Sequence, residues 1–202
     1  MCGRYYVAID DQELQDICDA AMRQEKEDGG LEQLEIKLSG EIFPTDVVPV
    51  SIGTDEFRFM RWGFSGIGSS GGIGGSGNGS RPLINARSET ALSKPTFQES
   101  MRERRCLIPA SGYYEWKKED GRKIKHRFYL DGQPLYFAGF WRQEKDERLP
   151  RFTILTRTAA PALEAIHDRM PVIIPQDRAE QWLYEGAGVL DSAVTDLLVE
   201  VV

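Results

Sequence analysis

The sequence predicts an α+β domain with an antiparallel, barrel-like β core and peripheral helices, and three observations lead there. First, the second half contains six short apolar or alternating runs, at residues 106–109, 112–116, 127–130, 135–141, 152–156 and 172–174. Second, turn signals fall between them, at Gly121, at Asp131-Gly132 and in the charged stretch 143–148, so that neighbouring runs read as hairpins. Third, helical periodicity is confined to one long stretch near the start and short stretches near the end. Strands joined by hairpins, with helices at the ends and edges, suit a sheet that partly closes on itself.

The elements follow in chain order. Residues 4–9 read as a short strand. Asp10 and Glu13 form a capping-box pattern that opens a helix running to about Glu27, with Leu14, Ile17, Cys18, Ala21 and Met22 on one face. Cys18 on that stripe behaves as a small hydrophobe, and Gly29-Gly30 is the stop signal. Residues 42–45 and 47–52 read as extended and proline-punctuated, and 57–62 as a strand. Residues 63–80 form a Gly/Ser-rich loop. A GxGxxG pattern can be picked out of it, but no amphipathic helix follows, so the dinucleotide fingerprint fails its context. Short helices are expected at 160–166, 177–184 and 192–199. The whole of residues 1–202 reads as one domain carrying the 63–80 loop.

Composition narrows the function. With 41% hydrophobic and 28% charged residues the chain reads as an ordinary soluble globular protein. No apolar run approaches the roughly 20 residues of a membrane span, and no basic-then-apolar leader opens the chain, so a cytoplasmic protein is expected. Three cysteines without a CxxC, and two histidines, encode neither a disulfide framework nor a metal site, so no metal and no cofactor are expected. The net charge of −7 is unevenly spread. Residues 1–60 hold 5 basic and 14 acidic side chains, whereas residues 81–127 hold 12 basic and 6 acidic. That central excess fits a cationic groove as well as a solvated face.

The residue with the most distinctive chemistry is Cys2. Were Met1 removed, it would present an α-amine and a thiol on adjacent carbons, a pair that condenses with an aldehyde to an imine and then a thiazolidine. Three other segments place polar groups in apolar surroundings: Asn85 after Leu83-Ile84, Glu115 between Tyr114 and Trp116, and His167 before Asp168-Arg169-Met170-Pro171. Each has an ordinary structural reading, as a turn residue, an outward ion-paired strand residue and a helix cap. Together a thiol, a carboxyl and an imidazole are the inventory that imine chemistry needs.

The blocks Met1-Cys2-Gly3-Arg4-Tyr5, Phe43-Pro44-Thr45, Arg61-Trp62-Gly63, Asn85-Ala86-Arg87-Ser88-Glu89, Arg105-Cys106-Leu107-Ile108-Pro109-Ala110, Gly112-Tyr113-Tyr114-Glu115-Trp116, Ala138-Gly139-Phe140-Trp141, Ile154-Leu155-Thr156 and His167-Asp168-Arg169-Met170-Pro171 resemble, in order, those of the SOS response-associated peptidase (SRAP) family. The resemblance spans nearly the whole chain. It implies a barrel-like α+β fold and a protein of the DNA damage response that crosslinks to abasic sites in single-stranded DNA through a mature N-terminal cysteine. Cys2 would be the nucleophile, Asn85 would hold the sugar or the N-terminus, and Glu115 and His167 would move protons. Arg4, Arg87 and Arg169 would meet phosphates, Trp62 would stack on a base, and Pro44 and Thr156 would line the pocket. A monomer, associated with the nucleoid when bound to DNA, is the implied state. The 63–80 tract departs from the family, which commonly carries a tryptophan-containing apolar loop there; here no aromatic follows Phe64, so stacking would fall to Trp62 and Phe64. Two alternatives are a thiol peptidase using Cys2 and His167, and a noncatalytic reader of modified DNA bases.

Overall fold

Five strands close into a ring and a second sheet packs across it. The computed structural model describes residues 2–28, 35–66 and 81–202. In chain order they form β1 (Tyr5–Val7), α1 (Gln12–Asp28), β2 (Gly40–Ile42), β3 (Val47–Ser51), β4 (Phe57–Trp62), β5 (Asn85–Arg87), α2 (Ser88–Ala91) and α3 (Gln98–Glu103). Then come β6 (Arg105–Ala110), β7 (Gly112–Glu119), β8 (Arg122–Tyr129), β9 (Leu135–Arg142), β10 (Arg151–Thr158), β11 (Arg169–Pro171) and β12 (Leu198–Val201).

The ring runs β10–β4–β3–β6–β9 and back to β10. Every seam is antiparallel except β4–β10, where Arg61 and Trp62 lie beside Arg151 and Phe152 in parallel. The core is therefore a mixed barrel, where the sequence led us to expect an antiparallel one. Strand β10 outruns the ring. Its first half pairs with β4 and β9, while residues 154–158 carry β5 on one edge and β11 on the other. A closed ring buries both faces of its strands, one inside and one beneath the covering elements, which is why β3 and β9 show runs of buried residues instead of alternation.

The interior is filled by Val48, Val50, Met60, Trp62, Ile108, Phe137, Phe152 and Ile154. Gly139 is a packing requirement there: a Cβ would meet Ile108 Cδ1 at 2.5 Å and the Thr153 carbonyl oxygen at 2.7 Å. The second sheet, β12–β8–β7–β1–β2, lays Tyr5, Tyr113 and Phe128 onto the same core. Tyr5 meets Trp62 and Phe137 at ring distances of 5.2 and 5.8 Å. Outside the ring, Ala21 of α1 covers Val47 and Phe59. Phe97, Met101 and Trp182 cover Leu107, Ala138 and Phe140.

Several expectations need correction. The cap of α1 is Asp11, not Asp10, since its Oδ1 accepts the Leu14 N–H at 3.2 Å. Residues 160–166 form turns, not a helix. The expected helix at 177–184 is a 3₁₀ turn (Gln176–Arg178) followed by a π-helical turn (Gln181–Glu185). Residues 192–199 hold no helix: a 3₁₀ segment ends at Ser192, and Leu198–Val201 adds a strand to the free edge of β8. The β-branched Val-Glu-Val end suits strand pairing better than an uncapped helix. The expected strand at 172–174 lies earlier, at Arg169–Pro171. The helix stop at Gly29-Gly30 and most of the 63–80 loop fall outside the described residues.

Candidate active site

The chain enters β1 from within the protein. Cys2 is wholly buried, its carbonyl accepts a hydrogen bond from Asn85 Nδ2 at 2.7 Å, and its thiol points at the Arg4 carbonyl 3.7 Å away. Burial first, and the nearby Glu115 charge second, push the thiol pKa up, so the group is held as a neutral thiol.

Asn85 owes its position to β10. Strand β5 lies parallel to it with Asn85 beside Ile154, and Trp62 Nε1 donates to the Ile84 carbonyl at 3.0 Å. Asn85 Oδ1 is buried with no hydrogen-bond partner among the described residues. A buried acceptor left open costs about 1–3 kcal/mol.

Glu115 resolves a question left by the sequence, namely which face of β7 is wet. It shares the inward face with Tyr113 and is 4% exposed, while Tyr114 and Trp116 are half-buried on the outer face. Burial raises its pKa above the ordinary carboxylate value, against the opposing pull of His167. His167 Nε2 lies 3.8 Å from Glu115 Oε2, an ion-pair spacing longer than a direct hydrogen bond. His167 Nδ1 has two competing neighbours, the Arg169 amide at 3.0 Å and Asp168 Oδ1 at 2.9 Å. One nitrogen cannot both accept from the amide and donate to the carboxylate. The amide is fixed by β11, whereas the Asp168 side chain is 82% exposed and free to turn. We therefore assign the proton to Nε2, facing Glu115.

An open groove of about 580 Å³ runs past this pair. Glu115, Glu164, His167 and Asp168 line it together with Lys117, Lys118 and Lys123, so both signs of charge face the groove. The central basic stretch of the sequence thus supplies a groove wall.

The remaining predicted residues scatter. Arg87 is exposed and has no ion-pair partner among the described residues. Arg4 bonds Glu41 at 3.1 Å and lies over the rings of Phe43 and Trp116 at 4.3 and 5.0 Å. Pro44 is half-buried in a turn closed by Asp46, whose Oδ2 accepts the Phe43 N–H at 2.9 Å. The next residue, Thr45, holds a φ of 77°, a strained conformation for a β-branched side chain.

Four residues are placed otherwise than the resemblance implied. Trp62 is fully buried, stacked on Phe152 with its nitrogen satisfied, and offers no face to a base. Phe64 is equally buried, packed on Phe140 beneath Arg142. Thr156 is fully buried and bonds the Ala86 carbonyl. Arg169 gives Nη1 and Nη2 to the two oxygens of Glu89, at 2.6 and 2.9 Å, and Nη2 also bonds the Thr156 carbonyl at 2.6 Å. Trp62 fills the barrel interior and Phe64 packs outside the ring, while Thr156 and Arg169 tie β5, β10 and β11 together. Two contributors were overlooked in the sequence: Glu89, which ends the Asn-Ala-Arg-Ser-Glu block, and Asp168, next to His167.

A mixed β-barrel whose chain start is gripped beside a buried carboxyl and a half-buried imidazole defines the class of protein. The chain belongs to the SOS response associated peptidase (SRAP) family, whose model matches residues 1–201. It is 41% identical to the abasic site processing protein YobE of Bacillus subtilis over 106 residues, 50% of this chain and 48% of that protein. It is 37% identical to the abasic site processing protein YedK of Escherichia coli over 105 residues, 50% of this chain and 47% of that one. It is 32% identical to the abasic site processing protein HMCES of Gallus gallus over 124 residues, 49% of this chain and 37% of that protein. The chain thus spans about half, or less, of the length of these curated relatives. In fold it resembles a protein of solved structure from Bordetella bronchiseptica, with a TM-score of 0.75 and 24% identity across 100% of this chain and 99% of that one. No helix among the described residues is long and apolar enough to cross a membrane.

Proposed function

We propose that the protein binds abasic sites in single-stranded DNA and joins them covalently through Cys2, once cleavage of the Met1–Cys2 bond has freed the Cys2 nitrogen. The observation that carries this reading is the cluster itself: a buried cysteine held through its carbonyl by Asn85, beside Glu115 and His167. The family relation supports the choice of substrate, since the relatives above are named as abasic site processing proteins.

The chemistry balances without an outside oxidant or reductant. The ring-opened sugar presents an aldehyde. The α-amine adds to its carbon, and the carbinolamine loses water to give an imine. The thiol then adds across the C=N bond, sulfur to carbon and proton to nitrogen, closing a thiazolidine. A neutral thiol makes the amine the first nucleophile and leaves a thiol proton to be moved in the second step. Glu115, with its pKa raised by burial, suits both duties, taking a proton from the attacking group and giving one to the departing oxygen. His167 Nε2 is the second proton carrier. The open Asn85 Oδ1 is an acceptor for a sugar hydroxyl or for the freed amine. Arg87 and the groove lysines would hold phosphates, giving a salt-sensitive contact.

The test incubates protein of verified N-terminal mass with single-stranded DNA bearing one abasic site, then looks for a denaturation-resistant adduct. Wild type should give the adduct and Cys2→Ala none. Absence of adduct with wild type, or its persistence in Cys2→Ala, rejects the reading. Cys2-dependent cleavage of a generic peptide would favour a thiol peptidase, although the thiol hydrogen here is directed to the Arg4 carbonyl.

A further inference from the structure

Away from the groove at Glu115 and His167, where three lysines stand beside three carboxylates, a second concave region is one-sidedly acidic. Three elements surround a cavity of about 590 Å³: α1, the turn between β3 and β4, and the segment from Gln176 to Leu183. Ile17, Ala20, Phe57, Leu107 and Leu183 give it an apolar lining. Its charged side chains are Glu13, Asp16, Asp55, Asp177 and Glu180; no lysine or arginine among the described residues lines it, although Arg178 lies 3.7 Å from Asp177 Oδ2.

The cavity is preformed, because its walls are tied at all three corners. Gln24 of α1 clasps the turn, donating to the Asp55 carbonyl at 2.6 Å and accepting the Phe57 N–H at 2.8 Å. Thr54 of the turn donates its hydroxyl to Glu180 at 3.0 Å, and its amide reaches Tyr184 Oη at 3.3 Å. Gln176 donates to Glu13 of α1 at 2.8 Å, and Tyr136 Oη donates to the same carboxylate. Tyr136, Gln176 and Asp177 also line a second hollow of about 530 Å³, so the two form one trough. The second hollow is largely aliphatic, walled by Leu130, Pro134, Ile173, Pro175 and Val194.

We propose that this trough binds an extended segment of a partner protein, with lysine or arginine side chains over the acidic cavity and aliphatic or proline side chains in the second hollow. Each half alone falls within the size of a small-molecule site, but their continuity and contrasting walls fit a chain with two kinds of side chain in series. Nucleic acid is disfavoured, since five carboxylates repel phosphate. DNA held at the Glu115–His167 groove leaves the trough unused, so one molecule can hold both ligands at once.

The probe is a short fluorescent peptide, lysine-rich in its first half and leucine- and proline-rich in its second, titrated into full-length protein by anisotropy. Controls replace the lysines by glutamate, or the leucines and prolines by serine. Two variants are compared with wild type: Ala20→Trp, which fills the cavity, and a triple Asp16→Asn, Asp55→Asn, Glu180→Gln, which removes charge and preserves shape. Circular dichroism checks that each folds. The proposal expects saturable wild-type binding that weakens with salt and is lost with either control peptide. It expects binding about tenfold weaker in the triple variant and weakened in Ala20→Trp, with the DNA adduct unaltered in both. No saturable binding, equal binding of the glutamate peptide, or unchanged affinity in both folded variants overturns it. Because the peptide titration contains no DNA, its failure is separate from any failure of the crosslinking reading.

Discussion

Cys2 and Cys106 are both wholly buried free thiols, and burial pushes the pKa of each upward. Their neighbourhoods differ in every other respect. Cys106 sits on β6 inside the ring, with its sulfur about 3.3 Å from where a Cβ on Gly139 would stand. Only desolvation acts on it. Cys2 lies where the chain threads between β5 and β7, with Asn85 on its carbonyl and the Glu115 charge acting on its sulfur. Burial alone therefore does not distinguish the cysteine proposed to react from the structural one. The polar groups buried alongside it do.

The largest expected effect separates the two thiols directly. Cys2→Ala should abolish the DNA adduct, whereas Cys106→Ala should leave the adduct intact and cost about 1 kcal/mol of stability, read by denaturant unfolding. Equal loss of adduct in both variants would erase the contrast. Glu115→Gln should slow adduct formation by roughly 10²-fold or more. As a base Glu115 must be ionised, so the wild-type rate should rise with pH across a midpoint above the usual carboxylate range, and the ratio of wild-type to Gln rates should lose that rise at low pH. A pH-independent ratio would remove Glu115 from proton transfer.

Gly139→Ala sharpens the comparison from the barrel side. Its clash with Ile108 and the Thr153 carbonyl should cost about 1–3 kcal/mol, with the adduct rate unchanged at temperatures where the protein stays folded. The smallest effect concerns the brace behind the site. Glu89, held by Arg169, has its pKa lowered from 4.5 to about 2. Its contribution is complete above pH 4.5 and is lost as pH falls towards about 2. Glu89→Gln should therefore destabilise slightly near neutrality and flatten that part of the acid-unfolding curve.

The site was legible in the sequence as an inventory, not as an arrangement. Cys2 could be picked out by its place behind Met1, and Asn85, Glu115 and His167 as polar groups in apolar surroundings; a hydrogen bond, a charge interaction and an ion-pair contact join all four. Strand β4 and helix α1 were also readable, one as an apolar run and the other as a periodic stripe. What could not be read was the inside and outside of strands buried on both faces. Trp62 looks like a binding residue until ring closure turns it inward, Thr156 until pairing with β5 and β11 buries it, and Arg169 looks like a phosphate ligand until Glu89, eighty positions away, claims it. Short C-terminal turns failed for a related reason, since the edge of β8 recruits Leu198–Val201 regardless of local helix propensity.

The stem of the long connection between β4 and β5 is closed by paired hydrogen bonds between Phe64 and Leu83, at 3.2 and 2.8 Å. Just inside it, Glu144 holds Ser65, and beyond it the register of Asn85 is set by Ile154. The spacing of the proposed site is thereby insulated from whatever lies beyond that stem. Such an arrangement lets the intervening tract gain, lose or exchange residues across generations while the chemistry stays in place, a division between a segment free to diversify and a framework that is not.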